Sequence, residues 1–181
     1  MYIKHDLVLE TDRLFLRRMR PEDIDDLLRI FTDPQVMASF GGELFDRAQM
    51  ERWLAGNLEH QERYGYGLFA VILKSNGEFI GDCGLEHMEV EGERETELGY
   101  DFRSDYWNQG LATEAASAVR EFAFGTLELT RLISLIRVGN QASRRVAEKV
   151  GMTLHEEIER YGRPYWVYVI ARPGVEGERN A

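Results

Sequence analysis

The stretch "YWNQGLATEA", Tyr106 to Ala115, constrains this chain most. An aromatic pair is followed by Asn108, Gln109 and Gly110, and then a run of good helix formers begins with Leu111, Ala112 and Thr113. A glycine-broken turn that feeds a helix with small first residues leaves that helix's opening N–H groups open to a close approach. Those groups carry a partial positive charge, so the turn suits a phosphate or pyrophosphate. The chain has no Gly-Lys-Ser or Gly-Lys-Thr and no GxGxxG, which sets aside the P-loop and the dinucleotide fingerprint. Taken alone, "QGLA" reads more readily as an ordinary helix start than as a ligand site.

The helix from about Gly110 to Phe124 places Ala112, Ala115, Ala116, Val119, Phe122 and Ala123 on one face. Upstream, "RLFLRRM" (13–19) alternates as a strand. "RPEDIDDLLRIF" then spaces Ile24, Leu27, Leu28 and Phe31 helically, until Asp33-Pro34 ends the run. A second helix opens at Asp46 with Gln49 three residues on, a capping box, and closes at Tyr64-Gly65. "LFAVILKSNGEFIGDCGLEHM" reads as two strands around Asn76-Gly77. The charged turn "EVEGERE" leads to a third strand, Thr96 to Phe102. After the central helix come a buried-type strand, Arg131 to Val138, and a short helix, "NQASRRVAEKVGM", with Ala142, Val146 and Val150 inward and Gly151 as its stop. Two strands follow around Gly162-Arg163-Pro164. The expected order is β-α-α-β-β-β-α-β-α-β-β. That is an α/β fold with a mixed, mostly antiparallel central sheet and helices on both faces. Residues 1–172 form one domain and 173–181 a loose tail.

Composition narrows the function classes. A net charge of −10 argues against nucleic acid as the main partner and is compatible with a cationic acceptor such as an amine. One cysteine, Cys83, permits no intrachain disulfide, and four scattered histidines form no metal-binding pair. The apolar run "LFAVIL" is too short to span a membrane, and the first residues have no apolar signal core. The expectation is a cytoplasmic protein with no metal and no membrane partner.

Three stretches, "TDRLFLRRMRPEDIDDL", "GYDFRSDYWNQGLATEA" and "NQASRRVAEKVGM", resemble the landmarks of the GNAT acetyltransferases, in the family's order and spacing. The resemblance covers about residues 8 to 172 and is greatest to the RimJ/RimL branch, which acetylates protein N-termini and various small amines. It implies the GNAT fold, acetyl-CoA as donor, and its pyrophosphate on the backbone of Gln109, Gly110, Leu111, Ala112 and Thr113, with Asn108 beside it. The family pattern of Gln or Arg, two residues, Gly, one residue, then Gly or Ala is matched at Gly110 and Ala112; Trp107 stands at its first position. Pantetheine is implied to lie along Tyr100-Asp101-Phe102, in a slot opened where that strand splays from 131–138.

Acetyl transfer to an amine needs a proton acceptor, stabilisation of the thioester oxygen and help for the leaving thiolate. The resemblance puts Glu97 near the acceptor amine; the alternative is a solvent-facing strand glutamate, with Glu95 and Asp101 as rival carboxylates. In many relatives a tyrosine seven residues after the asparagine matching Asn140 serves as acid, but Ala147 stands there. Ser143, whose counterpart in the branch approaches the CoA sulfur, either fills that role or caps its helix. Asn140 caps the helix, meets the pantetheine amide, or does both. Arg144 and Arg145 either meet phosphates or are solvated. The expected function is direct transfer from acetyl-CoA, in a ternary complex, to a primary amine: a protein N-terminus, or a small cationic amine, antibiotic or amino acid. The expected state is a monomer or homodimer. The competing reading is a non-catalytic acyl-CoA-binding module.

Overall fold

A computed structural model describes residues 6–174. Its sheet has eight strands: β1 (Leu7–Glu10), β2 (Leu14–Arg18), β3 (Leu68–Leu73), β4 (Phe79–Val90), β5 (Glu93–Phe102), β6 (Arg131–Arg137), β7 (Thr153–Arg160) and β8 (Arg163–Ala171). They lie in the order β1-β2-β3-β4-β5-β6-β8-β7. Every neighbouring pair is antiparallel except β5 with β6. The helices are α1 (Ile24–Phe31), α2 (Pro34–Met37), α3 (Arg47–Tyr64), α4 (Leu111–Gly125) and α5 (Gln141–Val150). No described helix is long and apolar enough to cross a membrane.

Strand alternation sends side chains to two different cores. On one face Leu14, Leu16, Phe69, Val71, Cys83, Leu85 and Leu98 pack with Leu111, Ala115, Ala116, Val119 and Ala123 of α4 and with Ala147 and Val150 of α5. On the other, Leu68, Ala70, Ile72 and Phe79 pack with Leu27, Ile30 and Phe31 of α1, Val36 and Met37 of α2, and Met50 and Leu54 of α3. The helices therefore cover both faces, as the pattern required.

The structure adds an edge strand, β1, which the sequence reading omits, and turns Asp33-Pro34 into the start of a one-turn helix. Pro34 sits at the first helical position, where its missing N–H is no loss, and Asp33 accepts from the Gln35 amide. "EVEGERE" is not a wide turn: only Glu91 (φ 49°) and Gly92 (φ 82°) turn, and the flanking residues extend β4 and β5. Both turn residues have positive φ, as a tight two-residue hairpin demands. Ala142 is exposed and Ala147 points inward instead, because the α5 stripe begins one turn later. The capping box of α3 forms as expected, with Asp46 and Gln49 exchanging bonds of 2.7 and 2.8 Å. Of the expected tail, residues 175–181 lie outside the described residues.

Candidate active site

The parallel pair β5–β6 stays in register at Glu97 and Ile133 and then separates. Two side chains hold the point of separation. Glu97 Oε1 accepts the Leu135 N–H at 3.0 Å, and the Ser134 hydroxyl donates to the Leu98 carbonyl at 2.7 Å. A cleft of about 1090 Å³ opens beyond them, between the starts of α4 and α5 on one side and the α1–α3 layer on the other.

Main-chain groups dominate the half of the cleft beside α4 and α5. The Leu98 carbonyl points toward β6, so in an antiparallel ladder the backbone groups of Tyr100 and Phe102 point the same way. The Phe102 carbonyl is taken by Trp107 Nε1 at 2.8 Å. Tyr100 is left offering an N–H and a C=O to a slot that no strand fills. Asn108 (φ 59°) and Gly110 (φ 78°) bend the chain into α4. Gly110 is the N-cap and supplies no side-chain cap, so the N–H groups of Leu111, Ala112 and Thr113 are unpaired within the helix. Leu111 is buried and anchors the turn in the core. Asn108, Gly110, Leu111, Ala112 and Thr113 all line the cleft; Gln109 does not. Its carbonyl accepts from Arg13 at 2.9 Å, and its amide turns back to the Asp105 carbonyl.

Arg13 is a residue that sequence reasoning missed. It also pairs with Glu114 at 2.6 Å, and Thr11 donates to the same carboxylate. This clamp fixes the turn from behind. No local signal announces it, since its partners lie about a hundred residues away.

At the start of α5, Asn140 accepts the Ser143 N–H at 3.1 Å and donates to the Ser143 hydroxyl oxygen at 2.9 Å. Asn140 is therefore the cap, and both residues line the cleft. The Ser143 hydroxyl hydrogen is used by no described acceptor. Tyr100 reaches across the slot and donates its hydroxyl to the Ser143 carbonyl at 2.8 Å, tying α5 to β5. Burial pushes the Tyr100 phenol far up, so it stays a donor. Arg145 and Lys149 line the cleft, while Arg144 pairs with Glu148 at 2.8 Å and lies over Trp166.

Side chains dominate the other half. Glu97 is not a surface glutamate. Burial pushes its pKa up to about 7; the Leu135 N–H opposes this, and the Glu86 and Asp101 charges add to it. Asp101 also rises to about 7 through burial and the Glu86 charge. Glu95, the other rival carboxylate, is paired with Arg131 at 3.1 Å and does not line the cleft. Across the hairpin, Glu86 stands opposite Glu97 and lines the same cleft. Phe31, Phe45, Trp53 and Leu68 wall this half with apolar surface. Among the described residues no group of His, Cys, Asp and Glu is arranged to hold a metal ion.

The acetyltransferase (GNAT) domain family matches residues 13–153, about three quarters of the chain and all of the cleft lining except Tyr165. The chain belongs to the GNAT acetyltransferases. It is 37% identical over 161 residues to the uncharacterized protein YkkB of Bacillus subtilis, covering 88% of this chain and 93% of that one. Its fold superposes on the crystal structure of an acetyltransferase from Agrobacterium tumefaciens with a TM-score of 0.77 at 31% identity, covering 90% and 92% of the two chains. At 18% identity the fold alone is shared with RimL, a ribosomal L7/L12 α-N-protein acetyltransferase in complex with coenzyme A: TM-score 0.76, covering 92% and 98%. The architecture is thus that of a GNAT acetyltransferase, an enzyme class that draws acetyl groups from acetyl-CoA.

Proposed function

We propose that this acetyltransferase moves an acetyl group from acetyl-CoA to a primary amine by direct attack in a ternary complex. The observation that carries the reading is the position of Glu97. It closes the apex of the β5–β6 split, where a pantetheine chain lying along Tyr100 would end, and its pKa of about 7 suits a proton acceptor at neutral pH. The pyrophosphate would lie on the open amides of Leu111, Ala112 and Thr113, with Arg145 and Lys149 at the rim. That RimL was solved with coenzyme A supports a donor site in this fold.

In this reading Glu97 takes a proton from the acceptor ammonium. The freed nitrogen attacks the thioester carbonyl carbon, and the C–S bond breaks. The amide nitrogen gives up its second proton as the thiolate leaves, and that thiolate accepts a hydrogen bond from Ser143 before taking a proton. No covalent enzyme intermediate is needed: Cys83 is fully buried, and burial pushes its thiol far up. A cytoplasmic site of action fits the acetyl-CoA donor and this unpaired thiol. The test is thiol release from acetyl-CoA with a panel of amines. Turnover that depends on Glu97 supports the enzyme; tight CoA binding with no turnover for any amine supports a non-catalytic acyl-CoA-binding module.

A further inference from the structure

Four carboxylates stand in two opposed pairs on the face of β4 and β5 that looks toward α1–α3. Glu86 is opposite Glu97, and Asp82 is opposite Asp101, with the Gly84–Gly99 pair between them. The pairs stand four positions apart along each strand, about 13 Å between α-carbons. Glu86, Glu97 and Asp101 line the cleft. Asp82 lies behind Asp101, 0% exposed, and neither of its carboxylate oxygens has a hydrogen-bond partner. It feels the charges of Asp101 and Glu86, so it faces the same group. Burial, then the Asp101 and Glu86 charges, push Asp82 well up, so it holds a proton until something positive arrives to face the pair and favour the charged form. Arg160 is the cation that acts on Glu97, and it is held outside by the Glu89 carbonyl at 2.7 Å.

The two pairs are too far apart to close on one metal ion, and no such ligand set exists among the described residues. They are well placed for two separate positive charges joined by a chain. Between the pairs no polar side chain intervenes: Gly84 is covered by the Gly67–Leu68 backbone, and the Leu68 side chain lies against Gly99, where both line the cleft as apolar floor. Phe31, Phe45 and Trp53 supply apolar and aromatic wall for methylene groups and a face for an ammonium. A single charge, such as a peptide N-terminus, would meet Glu97 and Glu86 and leave the aspartate pair unanswered.

We infer that the acceptor is a linear aliphatic polyamine: one ammonium reacts beside Glu97 and Glu86 while a second is held by Asp101 and, behind it, Asp82. This rests on the acetyl-transfer reading above and names its substrate class. The experiment measures thiol release from acetyl-CoA with spermidine, putrescine, n-butylamine and an Ala-Ala dipeptide amide, using the full chain and its Asp101→Asn and Asp101→Glu variants. We expect kcat/KM for spermidine to exceed that for n-butylamine and the dipeptide by at least about tenfold, the worth of one charge-assisted contact. In Asp101→Asn that preference collapses, mainly through the spermidine KM; in Asp101→Glu, which keeps the charge, most of it returns. Raising the salt concentration should weaken spermidine more than butylamine. Equal or better kcat/KM for the monoamine or the dipeptide overturns the polyamine assignment and leaves acetyl transfer standing. A spermidine preference untouched in Asp101→Asn overturns the role of the aspartate pair. If none of the four amines is consumed although CoA binds, the acetyl-transfer reading falls and takes this inference with it.

Discussion

The two halves of the cleft are built from different materials. The half proposed for the donor is main chain: the open amides at the start of α4, the unpaired edge of β5 at Tyr100, and a Ser143 held by the cap of α5. The half proposed for the acceptor is side chain: Glu86, Glu97 and Asp101, set among aromatic residues. Main-chain sites tolerate many residues so long as φ and side-chain volume are respected, so they bind a constant ligand. A side-chain site changes with each substitution, so it is where specificity resides. The difference predicts that damage to the acceptor half abolishes chemistry while the donor is still held, and that damage to the donor half does the reverse.

The largest break in that symmetry should come from Glu97→Gln. Glutamine keeps the shape and can still accept the Leu135 N–H, but it cannot take a proton. A positioned general base contributes on the order of 10²- to 10⁴-fold, so kcat should fall in that range while CoA affinity holds. In the parent, kcat/KM should rise with pH through about 7 as Glu97 ionises, then level off. The variant should lack that step and gain steadily as free amine becomes available. Identical pH–rate profiles for the two proteins would remove Glu97 from the mechanism.

Stability should separate the halves in the same window. Glu97 and Asp101 rise from ordinary values of 4.5 and 3.8 to about 7 in the folded state. Between those limits the native protein holds protons that the unfolded chain has already released. Their contribution is full at acid pH and is lost as pH climbs through about 7, so stability should decline over that interval. Glu97 alone would account for up to about 3 kcal/mol. Urea unfolding from pH 5 to 8 should show a decline in the parent, a shallower one in Glu97→Gln and the shallowest in Glu97→Gln with Asp101→Asn. Equal slopes in all three would mean the carboxylates are better solvated than their burial indicates.

The same contrast explains what could be read in advance. The turn into α4 is local: glycine, small residues and the following helical stripe are contiguous, so the turn and the helix start at Gly110 could be read from a ten-residue window, while a phosphate role for Asn108 to Thr113 came only from the family resemblance. Asn140 and Ser143 are likewise three residues apart. The acidic pairs depend on register across a hairpin. Glu86 meets Glu97, and Asp82 meets Asp101, only because Glu91 and Gly92 make a two-residue turn. The usual signal for that turn is Asn-Gly or Asp-Gly, and a glutamate in its place hid it. Had "EG" been taken as the turn, counting back from it would have placed both pairs. Arg13 offered no such route, because its partners Gln109 and Glu114 are brought to it by the sheet order. β1 was missed because four residues, half-exposed at an edge, carry little periodicity.

On the donor side, Gly110→Glu should strike binding rather than chemistry. Gly110 has φ 78°, a conformation that costs a residue with a β-carbon roughly 1–2 kcal/mol, and its added side chain would first approach Arg13. The new carboxylate would also face the bound phosphates. Like charges brought together cost several kcal/mol, so CoA affinity by calorimetry should drop on the order of a hundredfold. The circular dichroism spectrum should stay that of the parent, because the position lies at a surface turn. Undiminished affinity would move the pyrophosphate elsewhere.

Ser143→Ala sharpens the comparison where the two halves meet, and its effect should be the smallest. The serine has two jobs that must be told apart. Its amide is capped by Asn140 Oδ1, and that bond survives the substitution because it uses the main chain. Its hydroxyl oxygen accepts from the Asn140 amide, leaving the hydroxyl hydrogen free for a departing thiolate. Removing the hydroxyl leaves one Asn140 N–H without that partner at a half-buried helix start, a loss of about 1 kcal/mol in stability. A hydrogen bond to a charged group contributes about 1.5–3 kcal/mol, so loss of a bond made only as the thiolate forms should lower kcat about tenfold or somewhat more. Acetyl-CoA affinity should change little, because the neutral thioester sulfur is a weak acceptor. Replacing Ser143 with threonine keeps the hydroxyl and should return most of the rate. Steady-state kinetics with one confirmed amine, set beside a melting curve for each variant, decides between the two jobs. If alanine lowers the melting temperature and leaves kcat alone, the serine serves only its helix, and the thiolate departs with help from solvent.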